Sequence, residues 1–184
     1  VRDSQRSKVY AAEREAGGIE TYANERTPVE FTLPTVRDLE IYVAMVMGRQ
    51  RLSSRYGEIV SYHPVRVGDG RRRRSACAGM HQIDMPRGMR TKWVVLHELA
   101  HVICSRLEDR LPRDKRTAGH GWRFAEIYLY LVKTHLGQAR HDALRAAFKT
   151  HRVRFREPVR RQMTPEQRAA CAARLALARA AKAA

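Results

Sequence analysis

The residues that could do chemistry are gathered in one short string, His97-Glu98-Leu99-Ala100-His101. On an α-helix, positions i and i+4 lie on one face a turn apart, so both imidazoles can bind a single metal ion. The glutamate between them falls beside a water that such an ion activates, and can take its proton. The pattern alone occurs by chance in many proteins, so its setting matters. Trp93-Val94-Val95-Leu96 precedes it, and Val102 and Ile103 follow. A helix that apolar is buried, and buried histidines and a glutamate without partners would be costly. The combination points to zinc.

A catalytic zinc ion needs a third protein ligand and one open position. Glu108, Asp109, Asp114, His120 and Glu126 lie downstream. His120 suits best, because Gly119 and Gly121 flank it and let the backbone bend an imidazole toward the metal at a helix start. Glu126 is the second choice as a ligand, and otherwise an acceptor for the outer N–H of a ligand imidazole. Tyr62, Tyr128 and Tyr130 are candidates for an oxyanion donor, among which the sequence does not choose. His63, His135, His141 and His151 lack ligand spacing and are expected at the surface or at helix caps. His81 is expected as an outward-facing polar residue on a strand.

The elements that must position these groups follow from periodicity and punctuation. A first helix is expected over 3–16, capped by Asp3 or Ser4, with Val9, Ala12 and Ala16 near one face and Gly17-Gly18 as its stop. Residues 17–34 read as irregular, with a short strand around 29–33. Thr35 then caps a helix with Asp38 at the capping-box position and Leu39, Val43, Val46 and Met47 inward; the run 41–47 as a whole is expected to need burial. Strand-like stretches follow at 58–62, 63–67, 75–80 and 80–85, with a turn at Gly68-Asp69-Gly70 and a stop at Pro86-Arg87-Gly88. The stretch 80–85 is expected along the cleft, offering its edge backbone to an extended substrate. From Thr91 the period becomes helical. Further helices are expected from Trp122 to about His135, with Phe124, Ile127, Tyr128, Leu131 and Val132 buried, and from His141 to about His151. Thr164-Pro165-Glu166-Gln167 starts a last, Ala/Arg-rich helix with a thin apolar face. The expected fold is α+β: helices packed on a small, mostly antiparallel sheet, with the HExxH helix central. Residues 1–150 form the domain and 151–184 a basic tail.

Composition bounds the setting. The 184 residues suffice for a core without staples. No apolar run reaches the roughly 18–20 residues that span a membrane. The polar start, Val1-Arg2-Asp3-Ser4-Gln5-Arg6, has no apolar leader, and Cys77, Cys104 and Cys171 form no CxxC pair, so a cytoplasmic, reducing setting is expected. Lys and Arg number 36 against 19 Asp and Glu, a net charge of +17 that points to a polyanionic partner such as nucleic acid. From Lys149 onward ten Lys/Arg face two acids, Glu157 and Glu166. A compact block, Arg71, Arg72, Arg73 and Arg74, precedes the cleft strand. These arginines, with Arg152, Arg154, Arg156, Arg160 and Arg161, are the candidate polyanion contacts.

Leu96-His97-Glu98-Leu99-Ala100-His101 with Gly119-His120-Gly121-xx-Phe124 resembles the zincin metallohydrolases of HExxH…HGxxF type, of which SprT-like proteins are the best-known relatives. Arg2-Asp3-x-Gln5-Arg6-xx-Val9-Tyr10-x-Ala12-Glu13, with Ile83-Asp84-Met85-Pro86, resembles a small actinobacterial and phage-encoded group of zinc metallohydrolases. The resemblance runs from Arg2 to about Val153. It implies zinc on His97, His101 and His120 with Glu98 as general base. The chain departs from SprT-like proteases that act on DNA–protein crosslinks, which often carry a C-terminal cysteine zinc ribbon; a basic tail stands there instead. The function expected is therefore a zinc-dependent hydrolase, a metallopeptidase acting on a peptide or protein. The alternative is a non-catalytic protein that keeps the zinc fold and sits on nucleic acid, a ribosome or a phage particle.

Overall fold

A long apolar helix needs cover on every side, and α4 (Lys92–Asp109) receives it. Thr91 caps it, its hydroxyl accepting from the Val94 amide at 3.2 Å. Every residue from Trp93 to Ala100 is buried, so the HExxH string lies in the core, as its apolar flanks require. The computed structural model describes residues 3–17, 27–57 and 63–156, with positions 169, 170, 172–174 and 176.

Around α4 the described residues form five more α-helices: α1 (Arg6–Gly17), α2 (Val36–Met47), α3 (Gln50–Tyr56), α5 (Trp122–Leu136) and α6 (Gln138–Thr150). Helix α5 packs on α4, α6 on α5, and α1 on α6. The other side of α4 meets α2 and a small sheet. The Thr35–Asp38 capping box forms as its sequence predicts. On α2, Tyr42, Val43, Val46 and Met47 are buried, but Ile41 and Met45 stand exposed, because the apolar run there is wider than one helix face. The expected strand at 29–33 is a 3₁₀ turn, Val29–Phe31, with one bridge from Thr32 to Thr91. Helix α3 has no counterpart in the sequence reading.

The sheet has three short strands, β1 (Arg66–Gly68), β2 (Cys77–Ala78) and β3 (Gln82–Asp84), in the order β1-β3-β2. It corrects the mostly antiparallel expectation: β1 runs parallel to β3, with Val67 opposite Ile83, while β2 runs antiparallel to it. Period-two alternation identifies strands but carries no direction. Strand β3 is central, so its backbone edges are already paired. Between β1 and the loop before β2, Gly70 has φ +63° and packs its Cα side on Met85 and Pro86, where a Cβ would sit 2.5 Å from the Pro86 nitrogen. The buried Arg90 guanidinium donates to the carbonyls of Met85, Pro34 and Asp69 and fastens this corner. The expected strand at 58–62 lies outside the described residues.

Packing continues past Thr150. Val153 is buried, Phe155 lies against Phe148, and Gln5 bonds both backbone groups of Arg154. Of the tail helix, the described positions 169, 170, 172–174 and 176 are helical and exposed. No described helix is long and apolar enough to cross a membrane.

Candidate metal centre

Helix α4 presents His97 and His101 one turn apart, and the loop before α5 brings His120 to them. One nitrogen from each ring lies within 4.8 Å of the others. The ring centroids are 5.0 Å apart for His97–His101, 5.4 Å for His97–His120 and 4.6 Å for His101–His120. Phe124, one turn into α5, touches all three, at 5.0 Å from His97, 4.3 Å from His101 and 4.9 Å from His120. The spacing from His120 to Phe124 thus puts an aromatic floor under the triad.

The loop carrying His120 is held locally. Glu108, in the last turn of α4, accepts from the Thr117 amide at 3.0 Å and from its hydroxyl, and pairs with Arg123 at 3.5 Å. The Gly121 amide closes on the Ala118 carbonyl at 2.7 Å. A Cβ on Gly121 would meet Thr117 at 2.8 Å, so this close approach needs glycine. Glu108 is therefore a loop anchor, and Asp109 and Asp114 are exposed.

Each imidazole has a partner on its outer side. His120 Nδ1 is 2.7 Å from Asp3 Oδ2. His97 Nδ1 is 3.2 Å from Glu13 Oε2, and Glu13 also accepts from the Tyr128 hydroxyl at 2.5 Å. His101 hydrogen-bonds to the backbone of Gly119. Gln5 adds a bond to the His120 carbonyl at 3.0 Å. The Tyr10 ring stacks on His97 at 5.4 Å, 9° from parallel. Carboxylate or carbonyl partners of this kind fix ring tautomer and orientation in metal sites. His97 Nδ1 meets Glu13 as an ion-pair contact only, and the inner nitrogens Nε2 of His97 and His120 are buried with no hydrogen-bond partner. That is the donor set a zinc ion takes: buried imidazole nitrogens, convergent and otherwise unsatisfied.

The electrostatics separate the three rings. Burial, the neighbouring His97 and His120 and the Arg6 charge push His101 well below the ordinary histidine range. Burial lowers His120 too, against the opposing pull of Asp3. Burial also opposes charge on His97, but Glu13 and Glu98 outweigh it and raise that ring. Glu13, despite its burial, is held ionised by His97 and Tyr128. Glu98 lines the adjoining cleft, of about 260 Å³, with His97, Tyr10 and Arg6. Burial pushes its carboxyl up to about 6.

Several expected residues lie elsewhere. Glu126 does not accept from a ligand ring: its carboxylate pairs with Arg55 at 2.8 Å on a half-exposed face of α5. The Tyr128 hydroxyl is spent on Glu13 and that of Tyr130 on the Arg51 carbonyl; Tyr62 lies outside the described residues. His135 is not a surface residue but sits half-buried against Tyr42, and burial pushes it down to about 4. His81 is exposed, edge-on to His63. Because β3 is paired on both edges, the strand edge left near the cleft is that of β2, and Ser75 and Ala76 leading into it line the cleft. Arg71, Arg72, Arg73 and Arg74 are exposed, but Arg71 pairs with Asp69 and Arg73 with Asp84. Arg152, Arg154 and Arg156 are exposed; Arg160 and Arg161 lie outside the described residues.

Asp3, Tyr10 and Glu13 were missed as site residues. The available signal was Glu13, a carboxylate four residues after Val9 on the apolar stripe of α1. No protein-family model, curated protein or solved structure matches the chain.

Proposed function

We propose that the chain is a zinc-dependent hydrolase of peptide bonds. The observation that carries this reading is the convergence of two buried imidazoles, His97 and His120, each with a carboxylate on its outer side, and the half-buried His101, with a buried glutamate in the adjoining cleft. Zinc held by His97, His101 and His120 would acidify water and polarise a carbonyl. Glu98 fits the proton-accepting role: it follows His97 directly on α4 and lines the cleft. Tyr10, stacked on His97, and Arg6 share the cleft lining, and the Tyr10 hydroxyl is our candidate for the oxyanion donor. An extended peptide would align beside Ser75–Ala76 and the edge of β2 by backbone pairing. The resemblance to HExxH…HGxxF metallohydrolases supports the same reading.

The test separates metal from chemistry. Wild-type protein should carry about one zinc per chain and cleave members of a broad peptide library. Glu98→Gln should keep zinc and fold but lose at least about 100-fold in rate, the lower end for a general base. His120→Ala should lose both. Zinc-loaded wild type without hydrolysis would favour the non-catalytic reading, in which the +17 charge serves a polyanion.

A further inference from the structure

The face of α5 turned away from the imidazoles has a different character. Phe124 and Tyr128 look toward the histidines, whereas Trp122, Glu126 and Tyr130 line a groove shared with α3, α6 and the chain after α6. The groove has a volume of about 940 Å³, near the upper end of the roughly 300–1,000 Å³ of small-molecule sites. Arg51, Arg55, Lys133, Arg145 and Arg156 line it. Glu126 is its one carboxylate, and Arg55 neutralises it at 2.8 Å. Among the described residues the other four cations make no close ion pair, though Arg145 feels the charge of Asp142 one turn before it on α6. Three half-buried aromatic rings share the groove: Trp122, Tyr130 and Phe155. The Arg55 guanidinium already lies over Tyr130, 4.9 Å from the ring centre.

We propose that this groove binds single-stranded nucleic acid. Cations answer the phosphates, and half-exposed rings answer unpaired bases, whose flat faces stack on them whatever their identity. A duplex keeps its bases stacked on one another and would use only the cations. An acidic peptide would likewise use the cations but offer no flat base to the ring surface left open beside Arg55 on Tyr130 and Arg123 on Trp122. The inference is independent of the metal reading, since none of these residues touches the triad. It also differs from the charge-only expectation, because it assigns affinity to the groove rather than to the arginine loop, where two of four guanidinium groups are already paired with acids.

The full chain carries its own reporter. Of its two tryptophans, Trp93 is fully buried and Trp122 lines the groove. Titration with short oligo(dT) or oligo(U) should quench tryptophan emission in wild type and leave it unchanged in Trp122→Phe. Four phosphate contacts would give a log–log salt slope of about −3. Lys133→Glu with Arg145→Glu should weaken binding about ten-fold or more and flatten the slope by about 1.4. Arg51→Glu serves as a second charge variant if circular dichroism shows the double variant misfolded. Arg72→Glu with Arg74→Glu should change affinity less than about two-fold, since the loop lies outside the groove. Binding of either oligonucleotide supports the proposal, and the tighter one names the sugar. Equal or tighter duplex binding, unquenched Trp122, displacement of the oligonucleotide by poly-glutamate at equal charge, or groove variants that bind like wild type would overturn it.

Discussion

A buried imidazole can satisfy one nitrogen with a neighbour and leave the other for a ligand; His120 shows both halves of that division, and His97 has its outer nitrogen in an ion-pair contact with Glu13 rather than in a hydrogen bond. Their outer nitrogens face Glu13 and Asp3, and their inner ones have no protein partner. The acids come from α1 and its lead-in, more than a hundred positions away in the chain from His120 and Tyr128. If they orient the rings, Asp3→Asn and Glu13→Gln should each lower zinc affinity about 10- to 100-fold. The larger loss is expected for Glu13, whose side chain is 5% exposed against 27% for Asp3. Tyr128→Phe, which removes a neighbour of Glu13 and no carboxylate, should cost less. Competition with a chelating dye reads all three, and unchanged affinity in both acid variants would leave α1 a packing element only.

The HExxH helix was legible because its signal is local: an apolar period, a threonine cap and two histidines four apart. Helix α5 was equally legible from Phe124, Ile127, Tyr128, Leu131 and Val132, all of them buried. Helix α3 was not, because QRLSSRY buries only Leu52 and shows no period. Strand direction in β1–β3 and the misassignment of Glu126 have one cause: each depends on what packs across, which the local sequence does not state. The Gly119-His120-Gly121 turn is the element on which the triad depends. Gly121→Ala would drive a Cβ to 2.8 Å from Thr117 and 2.9 Å from the Ala118 carbonyl. Overpacking of that kind costs about 1–3 kcal/mol. The strain falls on the turn that aims His120, so zinc affinity should drop together with the urea midpoint. A lowered midpoint with unchanged zinc affinity would show that His120 is aimed by Asp3 and Gln5 rather than by the turn.

At the scale of the molecule, the question is where the folded unit ends and the charged appendage begins. The residues 151–156 look like tail by composition, yet Val153 is 4% exposed, Phe155 lies against Phe148, and Gln5 ties Arg154 to the lead-in of α1. The same Gln5 bonds the His120 carbonyl, so this segment buttresses the histidine triad through one side chain. Two truncations should therefore behave differently. A chain ending at Arg156 loses six Lys/Arg and two acids but none of that packing and none of the groove's cations; it should keep its melting temperature and its zinc, and retain groove binding with its salt slope of about −3. A chain ending at His151 also loses Val153, whose burial alone is worth about 1.5–3 kcal/mol, and the partner of Gln5. It should melt several degrees lower and hold zinc less tightly. Thermal melts of both chains, with and without a chelator, decide the point: equal destabilisation would mean that residues beyond 156 pack on the domain, and no destabilisation in either would return 151–156 to the tail.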